Sequence, residues 1–197
     1  MSSNNQEVEI KFKVDNLADM KQKIISAGGQ LVFHDIFQKT IRFDTAEESL
    51  QQRGTFIRVR SGEKNTMTLK KKLPGADKNY KKRLEIEIEI SDIKKAIEIL
   101  NHLGFTKEHI MEKYRTEYKL GEVILALDKL PFGDYLEIEG EKEKIENTIS
   151  LLGLKGNKRL TVAYWYLFDD YNREHNVVSP NKNIVFEDSL LGSEAPK

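Results

Sequence analysis

Cysteine is absent from the 197-residue chain, and histidine occurs only four times. Without cysteine the chain cannot form a disulfide framework, and it lacks the thiolates that most structural zinc sites use. The four histidines, at positions 34, 102, 109 and 175, do not have the spacing of zinc ligands. The sequence therefore predicts neither a disulfide-stabilised fold nor a zinc centre.

Long apolar runs and an excess of charge of one sign are also missing. No segment approaches the roughly 20 apolar residues that a membrane helix requires, and the N-terminus has no signal-like apolar stretch. Lys and Arg together number 32, as do Asp and Glu, so net charge gives no reason to expect a nucleic acid or a membrane as partner. We expect a cytoplasmic protein whose electrostatic function is local, and a homodimer is compatible with these features.

Alternation of apolar and charged residues is the main pattern along the chain, and it predicts β-strands. Residues 7–14 alternate in this way, and a helical pattern then runs over 17–27 and ends at a glycine pair. The same order of strand, helix and glycine recurs from Arg83 and again from Tyr135. The predicted strands are 7–14, 31–44, 55–60, 65–72, 83–90, 110–120, 122–129 and a strand from 135 through 139, and the predicted helices are 17–27, 93–103, 142–152 and 160–171.

Turn and composition signals also divide the chain. We predict one domain over residues 1–172, which is long enough to bury a single core. The remaining residues, 173–197, are mostly polar and contain two prolines and a glycine, so we expect a weakly ordered tail.

Several strands carry charges of one sign on their polar face. Glu85, Glu87 and Glu89 form an acidic row, and Arg58 with Arg60 forms a basic row. Like charges on one face repel one another, so a purely structural sheet would more often interleave them. Eight strands suffice to close an antiparallel β-barrel, and helices packed on its apolar outer face would turn the charged rows inward. Because buried charges are costly unless paired or bound, this α+β fold favours a lumen that binds a polyanion with its cations.

Glu7, Glu9 and Lys11 form an ExExK motif, which is weak alone because short alternating charged strands are common. The motifs that follow it in order are Phe43-Asp44, Ile57-Arg58-Val59-Arg60, Leu69-Lys70, Arg83, Glu85, Glu87, Lys113-Tyr114-Arg115, Leu127-Asp128, Gly133 and Glu137-Ile138-Glu139. This ordered set is more specific than any one motif. From about residue 6 to residue 168 it resembles the CYTH, or triphosphate tunnel metalloenzyme, superfamily, whose N-terminal signature is ExExK.

This resemblance implies a closed eight-stranded tunnel that binds a triphosphate together with Mg²⁺ or Mn²⁺. The metal ligands that it implies are Glu7, Glu9, Asp128, Glu137 and Glu139. The substrate-binding residues that it implies are Lys11, Arg58, Arg60, Lys70, Arg83, Glu85, Glu87, Lys113, Arg115 and Arg159. The catalytic residues that it implies are Lys11, Glu137 and Glu139.

Other side chains are interpreted as structural. Lys81, with Lys13 and Lys71, is expected to be solvated, because exposed basic residues also serve solubility. Tyr164 and Trp165, together with other aromatic residues near the C-terminus, fit one apolar face of a helix and are expected to pack on the barrel.

Superfamily members include class IV adenylyl cyclases, thiamine triphosphatases and inorganic triphosphatases, so several activities stay open. The leading hypothesis is hydrolysis of the terminal phosphate of inorganic tripolyphosphate or of a nucleoside or thiamine triphosphate. The closest alternative is a cyclase that converts ATP to cyclic AMP and pyrophosphate. A non-catalytic polyphosphate or nucleotide sensor and a purely structural domain are further alternatives. The chain has Gln38, Thr40 and Arg42 where many relatives have Gln, Asp and Tyr, which leaves specificity for the organic part of a substrate open.

Overall fold

The computed structural model describes residues 6–73, 79–178 and 181–187 of the chain. Within these ranges the protein has eight strands and five helices. The strands are β1 (Gln6–Val14), β2 (Gln30–Asp44), β3 (Thr55–Ser61), β4 (Thr66–Lys72), β5 (Lys81–Glu89), β6 (Lys107–Leu120), β7 (Val123–Leu130) and β8 (Gly133–Glu139). The helices are α1 (Leu17–Ser26), α2 (Ser49–Gln52), α3 (Ile93–His102), α4 (Lys142–Leu151) and α5 (Tyr164–His175).

The eight strands close into an antiparallel barrel in the order β1, β5, β4, β3, β2, β6, β7, β8. The ring closes through β1, which pairs with β8 on one side and with β5 on the other. Its register sets Lys11 opposite Glu137 and Glu7 opposite Arg83. The predicted α+β barrel is confirmed.

The hydrophobic core lies outside the barrel, between the outward faces of the strands and the helices. Ile10 and Phe12 of β1 are fully buried there, in one cluster with Ile24 of α1 and Ile149 of α4. Because side chains alternate along a strand, packing these residues outward turns their charged neighbours into the lumen. No helix in the described part of the chain has the length and apolarity needed to cross a membrane.

The last helix begins later than the aromatic pattern predicts. Leu160 is extended and exchanges two backbone hydrogen bonds with Lys11, at 3.0 and 2.9 Å, so α5 begins only at Tyr164. The helix then continues to His175, three residues beyond the predicted end of the domain. The prediction of a helix from residue 160 is therefore wrong at its start, because this bridge holds Leu160 in a β conformation.

Part of the predicted tail is packed against the barrel. Ile184 is fully buried, accepts a hydrogen bond from the backbone N–H of Glu112 at 2.7 Å and donates one to the carbonyl of Ile110 at 2.9 Å. The ring of Phe186 lies 5.3 Å from that of Tyr114. Residues 181–187 of the predicted tail therefore pack against the barrel, whereas residues 179–180 and 188–197 lie outside the described residues. The division into a domain over 1–172 and a weakly ordered tail stays a prediction.

Candidate active site

The inner face of the barrel encloses a tunnel with a volume of about 300 Å³. Seven acidic and seven basic side chains line it, so the formal charges of the lining balance. The acidic residues are Glu7, Glu9, Glu85, Glu87, Glu117, Glu137 and Glu139, and the basic residues are Lys11, Arg58, Arg60, Lys70, Lys81, Lys113 and Arg115. The remaining lining residues are Phe56, Met111, Ala163, Tyr164 and Trp165.

Four glutamates, Glu7, Glu9, Glu85 and Glu139, lie near one another in the tunnel, and in the described part of the chain only three lysines contact them, namely Lys11, Lys70 and Lys81. Loss of hydration, and next the charge of Glu9, raise the pKa of Glu7 to about 8 even though Lys70 lies 2.6 Å from its carboxylate. The pKa of Glu139 is raised for the same two reasons, with Glu85 adding to the effect, although this side chain reaches solvent at the rim. Glu139 has no ion-pair partner among the described residues. This part of the tunnel therefore has room for additional positive charge.

Lys81 is a lining residue that the sequence interpretation assigned to solvent. Its ammonium group contacts the Glu9 carboxylate, which also receives a hydrogen bond from Lys11. Burial would raise the pKa of Glu9, but these two cations hold it well below its usual range. Burial lowers the pKa of Lys81 to about 8. The missed signal is spacing, since Lys81 shares a strand face with Arg83 and Glu85 two and four residues further on.

Asp128 lies on the inner face of the barrel, opposite Arg115, but its partners cover it and it does not line the cavity. It is fully buried and accepts hydrogen bonds from Lys113 at 2.9 Å and from two nitrogens of Arg115 at 2.6 Å each. Arg115 also donates to Glu137, whose carboxylate lies 3.0 Å from the Lys11 ammonium. Asp128 is therefore placed to hold the phosphate-binding candidates Lys113 and Arg115, and its oxygens are already engaged.

Tyr164, the first residue of α5, closes this cluster from the helix side. Its hydroxyl donates to Asp128 at 2.8 Å. Its ring lies beneath two cations, with the ammonium of Lys11 at 5.4 Å and that of Lys113 at 5.5 Å from the ring centre. The sequence predicts a packing residue here. The structure adds contacts that fix the position of two tunnel cations.

The substitution Tyr164→Phe tests this arrangement. It keeps the ring beneath both lysines and removes only the hydrogen bond to Asp128, so we expect a destabilisation of about 1–2 kcal/mol. Urea unfolding followed by circular dichroism measures this loss. Tyr166→Phe, on the exposed side of the same helix, is the matched control and should leave the unfolding free energy unchanged. Equal effects of the two substitutions would contradict the structural role of the Tyr164 hydroxyl.

The opposite part of the tunnel wall carries the arginines of β3. Arg58 lies 3.3 Å from Glu85 and 3.5 Å from Glu87, while Arg60 lies 3.6 Å from Glu87. Burial, and next the charges of Arg58 and Arg115, lower the pKa of Arg60 to about 10. The positive charges of these neighbouring guanidinium groups repel one another. A bound anion would reduce this repulsion.

Two predicted substrate-binding residues do not line the tunnel. The guanidinium of Arg83 lies over the ring of Phe56, 5.3 Å from its centre, beside the cavity lining. The resemblance implies that Arg159 contacts phosphate. Instead, its guanidinium donates two hydrogen bonds to Glu146 of α4, outside the tunnel. The other eight predicted substrate-binding residues line the tunnel together.

The carboxylates offer oxygen donors that suit Mg²⁺ or Mn²⁺. In residues 6–73, 79–178 and 181–187 no three acidic or histidine side chains converge in metal-binding geometry. Within the lumen, Glu9 and Glu137 are engaged by ammonium or guanidinium groups. Glu7, Glu9 and Glu139 nevertheless suit a cation, because all three line the tunnel and the charge of Glu9 raises the pKa of both Glu7 and Glu139. Asp128 does not fit, since it is fully buried, does not line the tunnel and accepts hydrogen bonds from three side chains.

Comparison with known proteins agrees with this geometry. The CYTH domain family profile matches residues 5–152. A Methanocaldococcus jannaschii protein named "Putative adenylate cyclase" is 32% identical over 149 residues, which cover 71% of this chain and 82% of that protein. The solved structure of a Vibrio parahaemolyticus protein, described as a "putative adenylate cyclase", superposes with a TM-score of 0.70 at 20% identity and covers 83% of this chain and 97% of its own.

A further solved structure, from Hippeastrum, has a TM-score of 0.58 at 18% identity, covering 90% of this chain and 99% of its own. It is described as a "putative adenylyl cyclase" with a dominant triphosphatase activity. The family profile spans most of the chain, and the fold and the order of the charged strand motifs agree with it. The chain therefore belongs to the CYTH domain family.

Proposed function

We propose that the protein is a divalent-metal-dependent triphosphatase that releases the terminal phosphate of inorganic tripolyphosphate or of a nucleoside or thiamine triphosphate. The observation that carries this proposal is the balanced charge of the closed tunnel. A free triphosphate would leave such a lining with excess negative charge, whereas a triphosphate with two divalent cations is nearly neutral. The lining is thus complementary to the metal complex of a triphosphate.

The basic residues that would hold phosphate oxygens lie on two strands. Arg58 and Arg60 offer planar guanidinium donors from β3, and Lys113 and Arg115 offer donors from β6. Because Asp128 already holds Lys113 and Arg115, these two donors are fixed in place before the substrate binds. Preorganised donors of this kind stabilise charge that develops on the transferred phosphoryl group.

Enzymes of the CYTH family generally depend on divalent metal ions. Glu7, Glu9 and Glu139 are the residues that would hold such an ion in this chain. A bound divalent cation neutralises phosphate charge and lowers the pKa of a coordinated water. Glu139, which has no ion-pair partner among the described residues, is free to accept a hydrogen bond from the attacking water through its carboxylate oxygens. Glu137 is held by Lys11 and Arg115, so it fixes the Lys11 ammonium on the phosphate side.

A second candidate function is adenylate cyclisation, which the name of the Methanocaldococcus jannaschii relative favours. In that reaction the 3′-hydroxyl of ATP attacks the α-phosphorus. Adenine is usually read by paired donors and acceptors, such as the amides of Asn and Gln. None of the described residues that line the tunnel is Asn, Gln, Ser or Thr. The lining therefore favours hydrolysis over a reaction that requires the base to be held.

Phosphate release from tripolyphosphate is the direct test of the proposal. The purified protein with magnesium or manganese should release orthophosphate, EDTA should stop the release, and added metal should restore it. The same assay with ATP and thiamine triphosphate ranks the substrates. Absence of metal-dependent phosphate release from all three would overturn the proposal.

Arg60→Ala tests the phosphate-binding wall. We expect kcat/KM for the preferred triphosphate to fall by roughly 100-fold, since one charged donor to the transferred group is lost. In the described part of the chain Arg60 has one carboxylate partner, Glu87 at 3.6 Å, so the fold should remain intact. Arg173→Ala, on the exposed surface of α5, is the matched control and should leave the kinetics unchanged. If Arg60→Ala matched the control for every triphosphate, Arg60 would not be a substrate ligand.

A further inference from the structure

A second cavity, with a volume of about 340 Å³, lies where β2 ends and β6 begins. Its strand residues share the inner face of the barrel with the tunnel lining, because Arg42 pairs with Arg58 of β3 and with His109 of β6. We call this cavity the end chamber. Its walls include Arg42, Gln51, His109, Trp165, Tyr166 and Asn181.

A layer of three side chains separates the end chamber from the tunnel. The guanidinium of Arg42 lies 5.6 Å from the centre of the Phe56 ring and 5.7 Å from that of the Trp165 ring. Both rings line the tunnel, whereas Arg42 lines the chamber and not the tunnel. Among the described residues, Trp165 is the one that lines both cavities. A molecule in the chamber is therefore distinct from a molecule in the tunnel.

The charged groups that line the end chamber offset one another. Lys107 contacts Glu48, and Lys182 lies 4.0 Å from Asp169. The described lining holds three basic and three acidic side chains in all. Burial lowers the pKa of His109, so this imidazole is neutral at neutral pH. The chamber therefore suits an uncharged ligand, in contrast to the phosphate-binding wall of the tunnel.

Two residues of the chamber wall carry a buried donor that has no hydrogen-bond partner among the described residues. These donors are Nε of Arg42 and Nε1 of Trp165. Buried polar groups in folded proteins are nearly always hydrogen-bonded, so the two donors indicate a ligand that supplies acceptors. His109 offers the opposite function. Its Nδ1 lies 3.4 Å from the carbonyl oxygen of Asn181, which places the proton on Nδ1 and leaves Nε2 as an acceptor.

Aromatic side chains supply a further part of the chamber wall. Trp165 and Tyr166, at the start of α5, both line it, and Tyr166 is 55% exposed. Aromatic faces stack with any planar ring system. A ligand that satisfies these groups is planar, uncharged and aromatic, with both acceptors and donors on its edge. Nucleobases have this combination of properties.

We propose that the end chamber binds the heteroaromatic base of a free nucleoside, at a site separate from the tunnel. The base stacks on the aromatic surface of α5, its acceptors receive the donors of Arg42 and Trp165, and a donor on its edge reaches His109. The volume of the chamber lies within the range of about 300–1,000 Å³ that is typical of small-molecule sites. Because this site lies outside the tunnel, the inference does not depend on the proposed hydrolysis.

Trp165 is the only tryptophan of the chain, so its fluorescence reports on the end chamber. Titration with adenosine, guanosine, cytidine and uridine in EDTA should give a saturable change for at least one nucleoside, with the same Kd by isothermal titration calorimetry. Arg42→Lys keeps the charge and removes the Nε donor, so we expect binding about tenfold weaker. Arg173→Lys makes the same change on the exposed surface of α5 and should bind as wild type does.

Trp165→Phe is a second variant, and calorimetry measures it. It keeps an aromatic ring and removes the other buried donor, so nucleoside binding should again weaken about tenfold. A thermal melt of each variant establishes that it is folded. If Arg42→Lys does not fold, Trp165→Phe still decides the outcome.

Saturation of the tunnel with tripolyphosphate distinguishes the two cavities. The nucleoside should then bind with a Kd within about twofold of its value alone, because the sites are separate. Loss of nucleoside binding under these conditions would place the nucleoside in the tunnel and overturn the inference. Binding of none of the four nucleosides, or equal binding by Arg42→Lys, Trp165→Phe and Arg173→Lys, would also overturn it. If tripolyphosphate did not bind, the proposed hydrolysis would fail, while the variants would still test the chamber.

Discussion

Glu139→Gln should lower kcat for the preferred triphosphate by about 100-fold or more, because it removes a metal-binding and water-orienting carboxylate. The expected effect on folding is small. Glu139 reaches solvent and has no ion-pair partner among the described residues, and substitutions of this kind usually change stability by no more than about 0.5 kcal/mol. Steady-state phosphate release and a thermal melt, measured on the same preparation, separate the two effects.

Glu141→Gln is the matched control for this substitution. It makes the same chemical change two residues further along, where the exposed side chain precedes α4 and makes no capping hydrogen bond. We expect wild-type kinetics for it. If Glu139→Gln also retained wild-type turnover across magnesium concentrations, Glu139 would be neither a metal ligand nor a catalytic residue.

Asp128→Asn should destabilise the fold by about 3–5 kcal/mol, the cost typical of removing one partner from a buried ion pair. Its carboxylate accepts from Lys113, from Arg115 and from the Tyr164 hydroxyl. An amide is neutral and turns a donor toward these donors, so buried positive charge is left without compensation. Urea denaturation followed by circular dichroism gives the change in unfolding free energy.

Asp170→Asn, which affects an exposed pair with Arg173 on α5, provides the comparison and should cost no more than about 0.5 kcal/mol. The contrast also decides the role of Asp128. A stable Asp128→Asn variant that had lost magnesium affinity would support the metal-ligand role that the family resemblance implies. A destabilised variant would support the structural role that its contacts favour.

The barrel could be predicted because its signal is local and repeated. Strands such as 7–14 alternate apolar and charged residues, and the apolar face of each strand must be buried against another layer of the fold. The glycines after α1 and α3 similarly mark helix ends, where Gly28 and Gly104 adopt positive φ. The start of α5 was missed because Leu160 is fixed by a backbone bridge to Lys11, a residue nearly 150 positions away.

Most of the predicted site residues line one lumen. The sequence does not distinguish residues that line it from residues that hold the lining side chains in place. Asp128 lies on the inner strand face like the other acids, yet the side chains of Lys113, Arg115 and Tyr164 cover it and separate it from the cavity. Lys81 was assigned to solvent because exposed basic residues also serve solubility, and only its register opposite Glu9 places it in the tunnel. The error for Arg159 is the opposite one. It was expected to bind substrate, but its hydrogen bond with Glu146 holds it against helix α4. These differences depend on pairing across the barrel, which a single sequence does not encode locally.

Phosphorus NMR of tripolyphosphate and of ATP, each incubated with the protein and magnesium or manganese, identifies the phosphorus that is attacked. A triphosphatase yields orthophosphate with pyrophosphate from the first substrate, or orthophosphate with ADP from the second. We predict one or both of these product pairs, and we predict that they disappear in the Glu139→Gln variant. Cyclic AMP with pyrophosphate from ATP, and no cleavage of tripolyphosphate, would contradict the proposed hydrolysis and identify a cyclase instead.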